Sequence, residues 1–298
     1  MVALLAACET VSVASERSAQ DLGVDDLVMS HFTLARHYPI EDRIAAVAAA
    51  GIAGIGLYVG DWERQLGEGM TLARLQYLLD GHGVVLAEIE AIPIWDVDGT
   101  GGQRTQRFLD LAWQLADQIG SRYLQVIGPY DQPSPEAIER FGMICDRAAD
   151  YDLKVGLEFL PFTNVRTAAD AMSIVGVADR ANGGVCVDIW HHRRGADDAA
   201  MIEAIPADKV MAIQINDGPM APQVDDYKQD CLQNRIAPGE GEMHVVEFVA
   251  MLLRMGVSAP WSLEVCQQNA PVGADHVAHC AAQMRAVLAE ARRQNDRG

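Results

Sequence analysis

Short apolar segments and longer amphipathic segments alternate along most of the chain. The apolar segments have the length and the β-branched content of strands, and the segments between them repeat apolar residues with helical spacing. The pattern predicts eight strands, at residues 27–32, 54–59, 84–92, 123–127, 154–159, 185–189, 210–215 and 261–265. It predicts eight helices, at residues 41–50, 71–81, 103–119, from 134 onward, 167–178, 197–204, 242–255 and 275–293. One strand and one helix together take about 30 residues, as parallel strands joined by helices require.

Eight such units predict a single α/β domain of the (β/α)8 TIM barrel type. No linker rich in proline or glycine divides the units, and no G-x-G-x-x-G sequence follows the first strand, which disfavours a doubly wound dinucleotide-binding sheet. We assign the barrel to residues 25–298 and a flexible N-terminal extension to residues 1–24. The stretch before Cys8 resembles a lipoprotein cleavage site, but no basic residue precedes it, so we expect no working signal.

The amino-acid composition and net charge restrict the kinds of molecule that the protein is expected to bind. Lys and Arg number 23 against 42 Asp and Glu, and the resulting net charge of −19 repels nucleic-acid phosphates and anionic lipid. No apolar run approaches the roughly 18 residues needed to cross a bilayer. The six cysteines include no C-x-x-C pair, which favours reduced, buried thiols. We therefore expect a cytoplasmic protein that binds a small polyhydroxy or keto substrate, and neither nucleic acid nor membrane.

Polar residues interrupt the last four predicted strands near their carboxyl ends: Glu158, Asp188, Gln214 and Glu264. An unpaired carboxylate in a buried strand is costly, and in a TIM barrel these strand ends meet at the active-site face. Three carboxylates and one amide there predict a divalent-metal site, with Mn²⁺ favoured and Mg²⁺, Co²⁺ or Zn²⁺ as alternatives. The competing interpretation is that each group pairs with an arginine or lysine from a neighbouring loop.

Five other residues are candidates for contact with the substrate. His191 follows the aspartate of the predicted metal site within one turn and is a candidate proton carrier, although a loop histidine is often simply solvated. Arg235 precedes a Pro-Gly turn in a long loop, where it either binds a carboxylate or phosphate or lies on the surface. Glu90 and His31, near the ends of earlier strands, and Trp190, after the sixth strand, complete the set, with packing as their alternative role.

The sequences LEFLP, VDIWHH, IQINDG, RIAPGEG and SLEV resemble the sugar phosphate isomerase/epimerase superfamily, the xylose isomerase-like TIM barrels. The likeness covers residues 27–290, and D-x-x-H and P-G-x-G are its most specific elements. The resemblance implies roles for six residues. The family's metal ligands match Glu158, Asp188, Gln214 and Glu264. Its D-x-x-H histidine matches His191, and its substrate-contacting arginine matches Arg235. Epimerases often have histidine where this chain has Gln214, whereas branches that resemble dehydratases tolerate glutamine. Related barrels commonly form dimers or tetramers, so a homo-oligomer is left open.

The resemblance implies proton removal next to a carbonyl group. A divalent ion would hold two oxygens of a hydroxy-ketone, with Glu158 and Glu264 on opposite sides of the reacting carbon. Return of the proton to the other face or to the neighbouring carbon would make the protein an epimerase or isomerase, the activity we favour. Loss of a β-hydroxyl or glycosyl group, with His191 as the acid, would make it a dehydratase or lyase like those acting on 3-dehydroshikimate or inosose. A non-catalytic metal-binding barrel is the third interpretation.

Overall fold

Eight parallel strands form a closed barrel in the computed structural model, which describes residues 17–34, 38–93, 99–128, 135–267 and 273–297. The strands follow one another around the barrel in chain order, and the first pairs with both the second and the last. They are β1 (Leu27–Met29), β2 (Gly54–Tyr58), β3 (Val85–Pro93), β4 (Tyr123–Ile127), β5 (Lys154–Glu158), β6 (Gly183–Asp188), β7 (Val210–Ile215) and β8 (Trp261–Leu263). The predicted single-domain (β/α)8 barrel is confirmed.

Helices surround the barrel and connect its strands. In the described part of the chain they are α1 (Ile40–Ala49), α2 (Val59–Gly67), α3 (Leu72–His82), α4 (Gly99–Gln118), α5 (Pro135–Ala149), α6 (Ala168–Ala178), α7 (Ile189–Arg194), α8 (Ala199–Glu203), α9 (Tyr227–Gln233), α10 (Val245–Met255) and α11 (Ala274–Asn295). Each predicted helix is present within a few residues of its predicted bounds. The short helices α2, α7 and α9 were not predicted. Both α2 and α7 start at the residue after a strand. No turn residues therefore mark the change from strand periodicity to helix periodicity, and the pattern does not reveal these helices.

Side chains and glycines fix several helix ends. The hydroxyls of Thr71 and Thr167 cap α3 and α6 by accepting the backbone N–H three residues later. Gly83 and Gly256 end α3 and α10 with φ of 65° and 78°, a left-handed conformation that glycine adopts without a steric cost. The two glycines therefore end their helices shortly before the strands β3 and β8 begin.

Glycines also make room for large side chains inside the barrel. A Cβ on Gly156 would lie 2.7 Å from the ring of Tyr123, and one on Gly56 would lie 1.6 Å from Oε1 of Glu90. Both positions therefore require glycine for close approach rather than for a turn. The barrel interior consequently holds a tyrosine and a carboxylate that an alanine at either position would displace.

The segment before β1 packs against the end of the barrel opposite the predicted site. A short 3-10 helix, Ala19–Asp21, is followed by the buried Leu22. Nε2 of Gln20 donates hydrogen bonds to the carbonyl oxygens of Ser121 and Asp152, both at 3.0 Å. Residues 1–16 lie outside the described residues, so the extension assigned to residues 1–24 and its boundary stay predictions.

Two sequence predictions concern reduced, buried cysteines and the lack of a segment that could cross a bilayer. The described cysteines are all buried and unpaired: Cys145, Cys186, Cys231, Cys266 and Cys280. Cys8 lies outside the described residues. Among the described helices, none combines the length and the apolar character that crossing a bilayer demands.

Glu88 is a buried carboxylate in the barrel interior. Its Oε2 accepts a hydrogen bond from Oγ of Ser262 at 2.7 Å, and the residue is 4% exposed. Burial raises the pKa of Glu88 to about 7, against the smaller opposing effects of Ser262 and Arg122. The folded protein thus holds a proton that the unfolded chain, with an ordinary value of 4.5, gives up. The stability linked to this proton is complete below pH 4.5 and is lost as the pH rises through 7.

Replacing Glu88 by glutamine is expected to prevent that loss. Because Glu88→Gln keeps an acceptor for Ser262 and carries no charge, its free energy of unfolding should exceed that of the wild type by roughly 3 kcal/mol at about pH 8 and by little at about pH 4. Urea unfolding at both pH values measures the difference. Glu63→Gln changes an exposed carboxylate that pairs with Arg107, and this control should match the wild type throughout. A difference that does not vary with pH would contradict the account.

Candidate active site

The carboxyl ends of β5 to β8 bring the four predicted ligands to one rim of the barrel. Asp188 pairs with Gln214 across β6 and β7, Glu158 pairs with Cys186 across β5 and β6, and Glu264 directly follows β8. All four predicted ligands are buried; Asp188 is fully enclosed and Glu264, the most accessible, is 7% exposed. The parallel register therefore gathers residues that are far apart in the sequence.

Glu158, Asp188 and His191 each contribute an atom of a type that binds metals, and these three atoms lie within 4.8 Å of one another. Nε2 of His191 is 3.4 Å from Oε1 of Glu158 and 3.7 Å from Oδ2 of Asp188. Asp188 ends β6 and also caps α7, because its Oδ1 accepts the backbone N–H of Trp190 at 2.7 Å. The helix that starts there turns His191 back toward the aspartate. Two carboxylates and an imidazole are ligands that Zn²⁺ and Mn²⁺ accept.

The guanidinium of Arg235 engages the remaining predicted carboxylate ligand. Its Nη1 donates to Oε2 of Glu264 at 3.0 Å and to Oδ2 of Asp188 at 2.9 Å, and its Nε donates to the carbonyl oxygen of Cys231 at 3.0 Å. Arg235 is 2% exposed, so it is a buried residue and not a surface arginine. The carboxylates converge, as the predicted metal site requires. An arginine from the long loop also neutralises part of their charge, as the competing interpretation expects.

Gln214 lies beside this cluster. Its Oε1 accepts a weak hydrogen bond from Sγ of Cys186 at 3.3 Å, within the barrel interior. Asn216, two residues later, donates from Nδ2 to Oδ1 of Asp188 at 3.2 Å. β7 thus supplies one amide to the barrel interior, and the residue just after it supplies one to the aspartate. The assignment of Gln214 as a metal ligand stays a prediction.

Burial and mutual repulsion set the charge state of the site. Burial, with the charges of Glu264 and Asp188, raises the pKa of Glu158 well above its usual range, and burial raises the pKa of Glu264 to about 8. Burial also disfavours the charge of Asp188, but Arg235 and His191 outweigh it and lower the pKa of that carboxyl. Burial lowers the pKa of His191 to about 4, so its imidazole is neutral near pH 7.

The donor set fits a divalent cation. Three carboxyl groups converge on the site, one guanidinium offsets part of their charge, and the imidazole of His191 lies beside them. Because burial raises the pKa of Glu158 and of Glu264, their ionised forms are costly unless a cation balances them. The carboxylates of Glu158 and Asp188 would hold the ion, with Glu264 next to them, and the Nε2 lone pair of His191 would be left to carry a proton.

The neighbours of His191 fix the form of its ring. Nδ1 lies 2.9 Å from Oη of Tyr227, and Nε2 lies 3.4 Å from Nη2 of Arg235. An arginine can only donate, so Nε2 accepts and Nδ1 carries the proton, which it donates to Tyr227. Phe162 packs against both rings, with centroid distances of 6.5 Å to His191 and 5.7 Å to Tyr227. The lone pair of Nε2 therefore faces the carboxylates.

An open cavity of about 360 Å³ adjoins the cluster, and Glu158, His191, Arg235 and Glu264 line part of it. Lining residues that were not predicted from the sequence include Phe32, Tyr58, Arg104, Gln125, Phe162 and Lys228. Gln125 interrupts β4 just as the predicted ligands interrupt later strands, so the same criterion applied to β4 would have identified it. Arg104 and Lys228 lie on helices, where no strand-end signal exists.

Two of the predicted substrate contacts, His31 and Glu90, lie outside the described lining of this cavity. Glu90 is fully buried and accepts hydrogen bonds from Oγ of Ser30 at 2.9 Å and from the backbone N–H of His31 at 2.8 Å. Nη1 of Arg43 lies 3.4 Å from Nδ1 of His31. These contacts fit the alternative packing role, and contact with the substrate stays a prediction for both.

Trp190 supports the loop that carries Arg235. Its ring is fully buried and lies against two guanidinium groups, with the carbon of Arg194 at 4.7 Å and that of Arg235 at 5.5 Å from the ring centroid. Arg194 also forms a buried ion pair with Asp230 of α9. Trp190 is absent from the described cavity lining, so its contacts position Arg235, and a direct contact with the substrate stays a prediction.

A match over most of the chain decides the family. The family model described as a xylose isomerase-like TIM barrel matches residues 44–286. The chain belongs to the xylose isomerase-like TIM barrel family. The resemblance seen in the sequence is therefore confirmed, and the site described above lies at the strand ends of a barrel of this family.

Relatives in this family carry two kinds of activity in their names. A 3-dehydroshikimate dehydratase from Pseudomonas putida is 26% identical over 234 residues, which are 76% of this chain and 36% of the relative. An inosose isomerase from Halalkalibacterium halodurans is 26% identical over 122 residues, 40% of this chain and 41% of the relative. The chain thus spans only about a third of the dehydratase. The relatives are enzymes that act on small molecules.

A solved structure supports the fold. The IOLI protein with a bound zinc atom aligns with a TM-score of 0.77 at 18% identity, over 89% of this chain and 98% of that one. At this identity the likeness establishes the shared barrel and not a shared reaction. The zinc belongs to that protein, and for this chain the identity of the metal stays a prediction.

Proposed function

We propose that this protein is a divalent-metal-dependent dehydratase that acts on a small hydroxy-ketone bearing a carboxylate. The observation that carries the proposal is the 3.4 Å contact between Oε1 of Glu158 and Nε2 of a neutral His191. This contact supports the proposal that a proton acceptor and a proton carrier act side by side at the cavity, as removal of a proton and departure of a hydroxyl from neighbouring carbons require. The dehydratase among the relatives agrees with this chemistry.

The residues of the chain divide the reaction among them. Gln125 donates from Nε2 to Oε2 of Glu158 at 2.9 Å, which leaves Oε1 free to take the proton next to the substrate carbonyl. The lone pair of His191 then receives this proton from Glu158, and His191 delivers it to the departing hydroxyl, which leaves as water. The two electrons of the C–H bond form the new double bond, so the site returns to its starting state. A bound divalent ion supplies the positive charge that stabilises oxygen during proton removal.

Two cations at the cavity favour an anionic substrate. Arg104 and Lys228 both line the cavity, from α4 and α9. Nη2 of Arg104 donates to Oη of Tyr58 at 3.3 Å, which holds the guanidinium at the cavity wall. In a chain with a net charge of −19, positive charge at a cavity that forms no ion pair with a carboxylate in the described ranges indicates selection for a negatively charged ligand. A hydroxy-keto acid fits this wall better than a neutral sugar does.

A two-signal assay with and without metal tests the proposed reaction. Purified protein loaded with Mn²⁺ is incubated in D₂O with 3-dehydroshikimate or an inosose, and both ultraviolet absorbance of a conjugated product and deuterium uptake are recorded. We expect water loss from 3-dehydroshikimate, which bears a carboxylate, rather than from the neutral inosose, and we expect a chelator to abolish it and added Mn²⁺ to restore it. Neither water loss nor exchange in the presence of bound Mn²⁺ would overturn the proposal and favour a non-catalytic metal-binding barrel.

An isomerase or epimerase is the second candidate. Glu158 and Glu264 both line the cavity, so two carboxylates are available to remove and return a proton, and one relative is an inosose isomerase. This activity would give deuterium uptake and an isomeric product without a rise in absorbance. The same assay therefore separates the two candidates.

Removing the cavity cations is expected to weaken substrate binding selectively. Arg104→Met and Lys228→Met should each raise KM for a carboxylate-bearing substrate by about tenfold, with a smaller effect on kcat, because each removes one charge-assisted contact. Steady-state kinetics measures both parameters. Arg107→Met removes an exposed arginine one turn further along α4 that pairs with Glu63, and this control should leave KM unchanged. Equal KM values for all three variants and the wild type would contradict the assigned anion preference.

A further inference from the structure

We propose that Thr33 is a positioning residue for Glu264, because its hydroxyl fixes the direction in which the glutamate side chain leaves the main chain. Thr33 ends a short 3-10 helix, His31–Thr33, that begins two residues after β1 ends, and it is 1% exposed. The inference rests on the proposed function only in taking Glu264, which lines the cavity, to act in the reaction.

Glu264 lies just past the point where regular pairing between β1 and β8 stops. The last bond of this ladder runs from the N–H of Ser30 to the carbonyl oxygen of Leu263, at 3.0 Å. The alternation of a parallel ladder would next bring the N–H of Val265 to the carbonyl oxygen of Ser30. That oxygen instead accepts the N–H of Thr33 at 3.2 Å, because the chain turns into the 3-10 helix. The ladder therefore stops immediately before Glu264.

The hydroxyl of Thr33 continues the ladder in place of the main chain. Its Oγ1 donates to the carbonyl oxygen of Leu263 at 2.7 Å and accepts the N–H of Val265 at 2.7 Å. These two groups belong to the peptide planes before and after the Cα of Glu264, and the orientation of the two planes sets the direction of its Cα–Cβ bond. Only a group that both donates and accepts can make the two bonds, and a methyl group at the same place makes neither.

Two further contacts hold the same stretch of main chain. The N–H of Glu264 donates to the carbonyl oxygen of Ile215, the last residue of β7, at 3.0 Å. Nη1 of Arg235 donates to the carbonyl oxygen of Glu264 at 3.1 Å. The main chain at Glu264 is therefore held from β7 and from the long loop, while Thr33 holds it from the side of β1.

A buried carboxyl group fixes the helix that carries Thr33. Oε1 of Glu90 accepts the backbone N–H of His31 at 2.8 Å, and its Oε2 accepts the hydroxyl of Ser30 at 2.9 Å. Both contacts lie at the start of the 3-10 helix, so they set its position relative to β3. Glu90 thereby supports Glu264 indirectly, through this helix and the hydroxyl of Thr33.

Crystal structures of matched variants test the assignment without any substrate. Thr33→Val keeps the shape of the side chain and removes the hydroxyl, Thr33→Ser keeps the hydroxyl, and Thr167→Val removes a hydroxyl that caps α6. Crystals of the wild type and of all three variants, grown under the same conditions, are compared by the distance between the carboxyl carbons of Glu264 and Asp188. We expect Thr33→Val alone to change this distance, by about 1 Å or more.

Steady-state kinetics of the same proteins shows whether the position of Glu264 matters for turnover. Since a misplacement of about 1 Å can cost about a hundredfold in rate, Thr33→Val should lower kcat by at least about tenfold and change KM by less than about threefold. Thr33→Ser should restore kcat, and Thr167→Val should match the wild type. A lower thermal midpoint in Thr33→Val with an unchanged kcat would give the hydroxyl a structural role alone and would overturn the inference.

Amide hydrogen exchange of the wild type does not depend on the folding of Thr33→Val. Because the hydroxyl of Thr33 accepts the N–H of Val265, we expect this amide to exchange as slowly as the amide of Leu263 within β8. Nuclear magnetic resonance spectra recorded after transfer to D₂O measure both rates. Exchange at Val265 as fast as in an unprotected loop would overturn the assignment.

The outcomes separate this inference from the proposed function. A displaced Glu264 in folded Thr33→Val, together with the wild-type position in Thr33→Ser, supports the positioning role. An unmoved Glu264 in Thr33→Val, or a displaced one in Thr33→Ser, would overturn that role and leave a metal-dependent dehydratase intact. A wild-type protein that is inactive on every substrate would remove the proposed function, while the crystal distances and the exchange rate would still decide the role of Thr33.

Discussion

Replacing Glu158 by glutamine is expected to lower kcat by at least about a thousandfold, because it removes the carboxylate that takes the substrate proton. The amide has nearly the same shape and can still accept the hydrogen bond from Gln125, so the fold should survive. Product formation by Glu158→Gln, measured with saturating Mn²⁺ and substrate, gives the size of the loss. The thermal midpoint of the same sample shows whether the barrel remains intact.

The matched control for this variant is Glu63→Gln, which makes the same chemical change at an exposed carboxylate on α2. It should retain wild-type kcat and KM. Activity of Glu158→Gln within about tenfold of the wild type would remove Glu158 from proton transfer. The role would then pass to Glu264, the other glutamate lining the cavity.

Asp188→Asn is expected to cost both metal and stability. Asp188 is fully buried, and its carboxylate accepts from Arg235 at 2.9 Å and from Asn216 at 3.2 Å. Removing one partner of a buried ion pair leaves the other poorly compensated, so we expect the free energy of unfolding of the metal-free protein to fall by about 3 kcal/mol. Urea unfolding measures this loss, and Mn²⁺ titration should show affinity reduced by about a hundredfold or more.

The pH dependence of this effect has a defined sign. Arg235 and His191 hold the pKa of Asp188 below its ordinary value of 3.8, despite burial. The stability from its charged form is therefore present above pH 3.8 and is lost as the pH falls below that value. The difference between wild type and Asp188→Asn should accordingly be largest near neutral pH and shrink in acid.

Asp198→Asn is the matched control for Asp188→Asn, because it makes the same chemical change at another aspartate that caps a helix. Asp198 caps α8 on the surface, where its Oδ1 accepts the backbone N–H of Ala200 at 3.1 Å, just as Asp188 caps α7. Its replacement should cost less than about 1 kcal/mol and leave Mn²⁺ affinity unchanged. A similar stability loss in both variants would indicate that capping, and not the ion pair with Arg235, explains the effect at Asp188.

The alternation of strand and helix segments predicted the barrel, and strand-end polarity predicted the rim of the site, because both are local patterns. An apolar run that ends in Glu158 or Asp188 is visible in sequence, and the (β/α)8 closure makes such ends meet. The same pattern at Gln125 in β4 also predicts a site residue, since nothing about the later strands makes the criterion specific to them.

Contacts across the fold could not be read from the chain in the same way. Arg235 was predicted to bind substrate, but whether its guanidinium meets a ligand or the chain's own carboxylates depends on the path of the loop and on Trp190 beneath it. Tyr227 and Lys228 lie on α9, a short helix without an apolar period long enough to detect. The position of Lys228 at the cavity and of Tyr227 beside His191 follows from the anchoring of α9 by Asp230 and not from any local signal.

Anomalous diffraction from crystals soaked in Mn²⁺ tests the central claim most directly, because it locates the ion without reference to any substrate. The account predicts a single strong peak at the rim of the barrel, at about 2.0–2.3 Å from carboxylate oxygens of both Glu158 and Asp188. Crystals of Asp188→Asn treated identically should lack it. A saturated soak with no peak among these side chains, or with Arg235 still bridging Asp188 and Glu264 and the ion bound elsewhere, would contradict it.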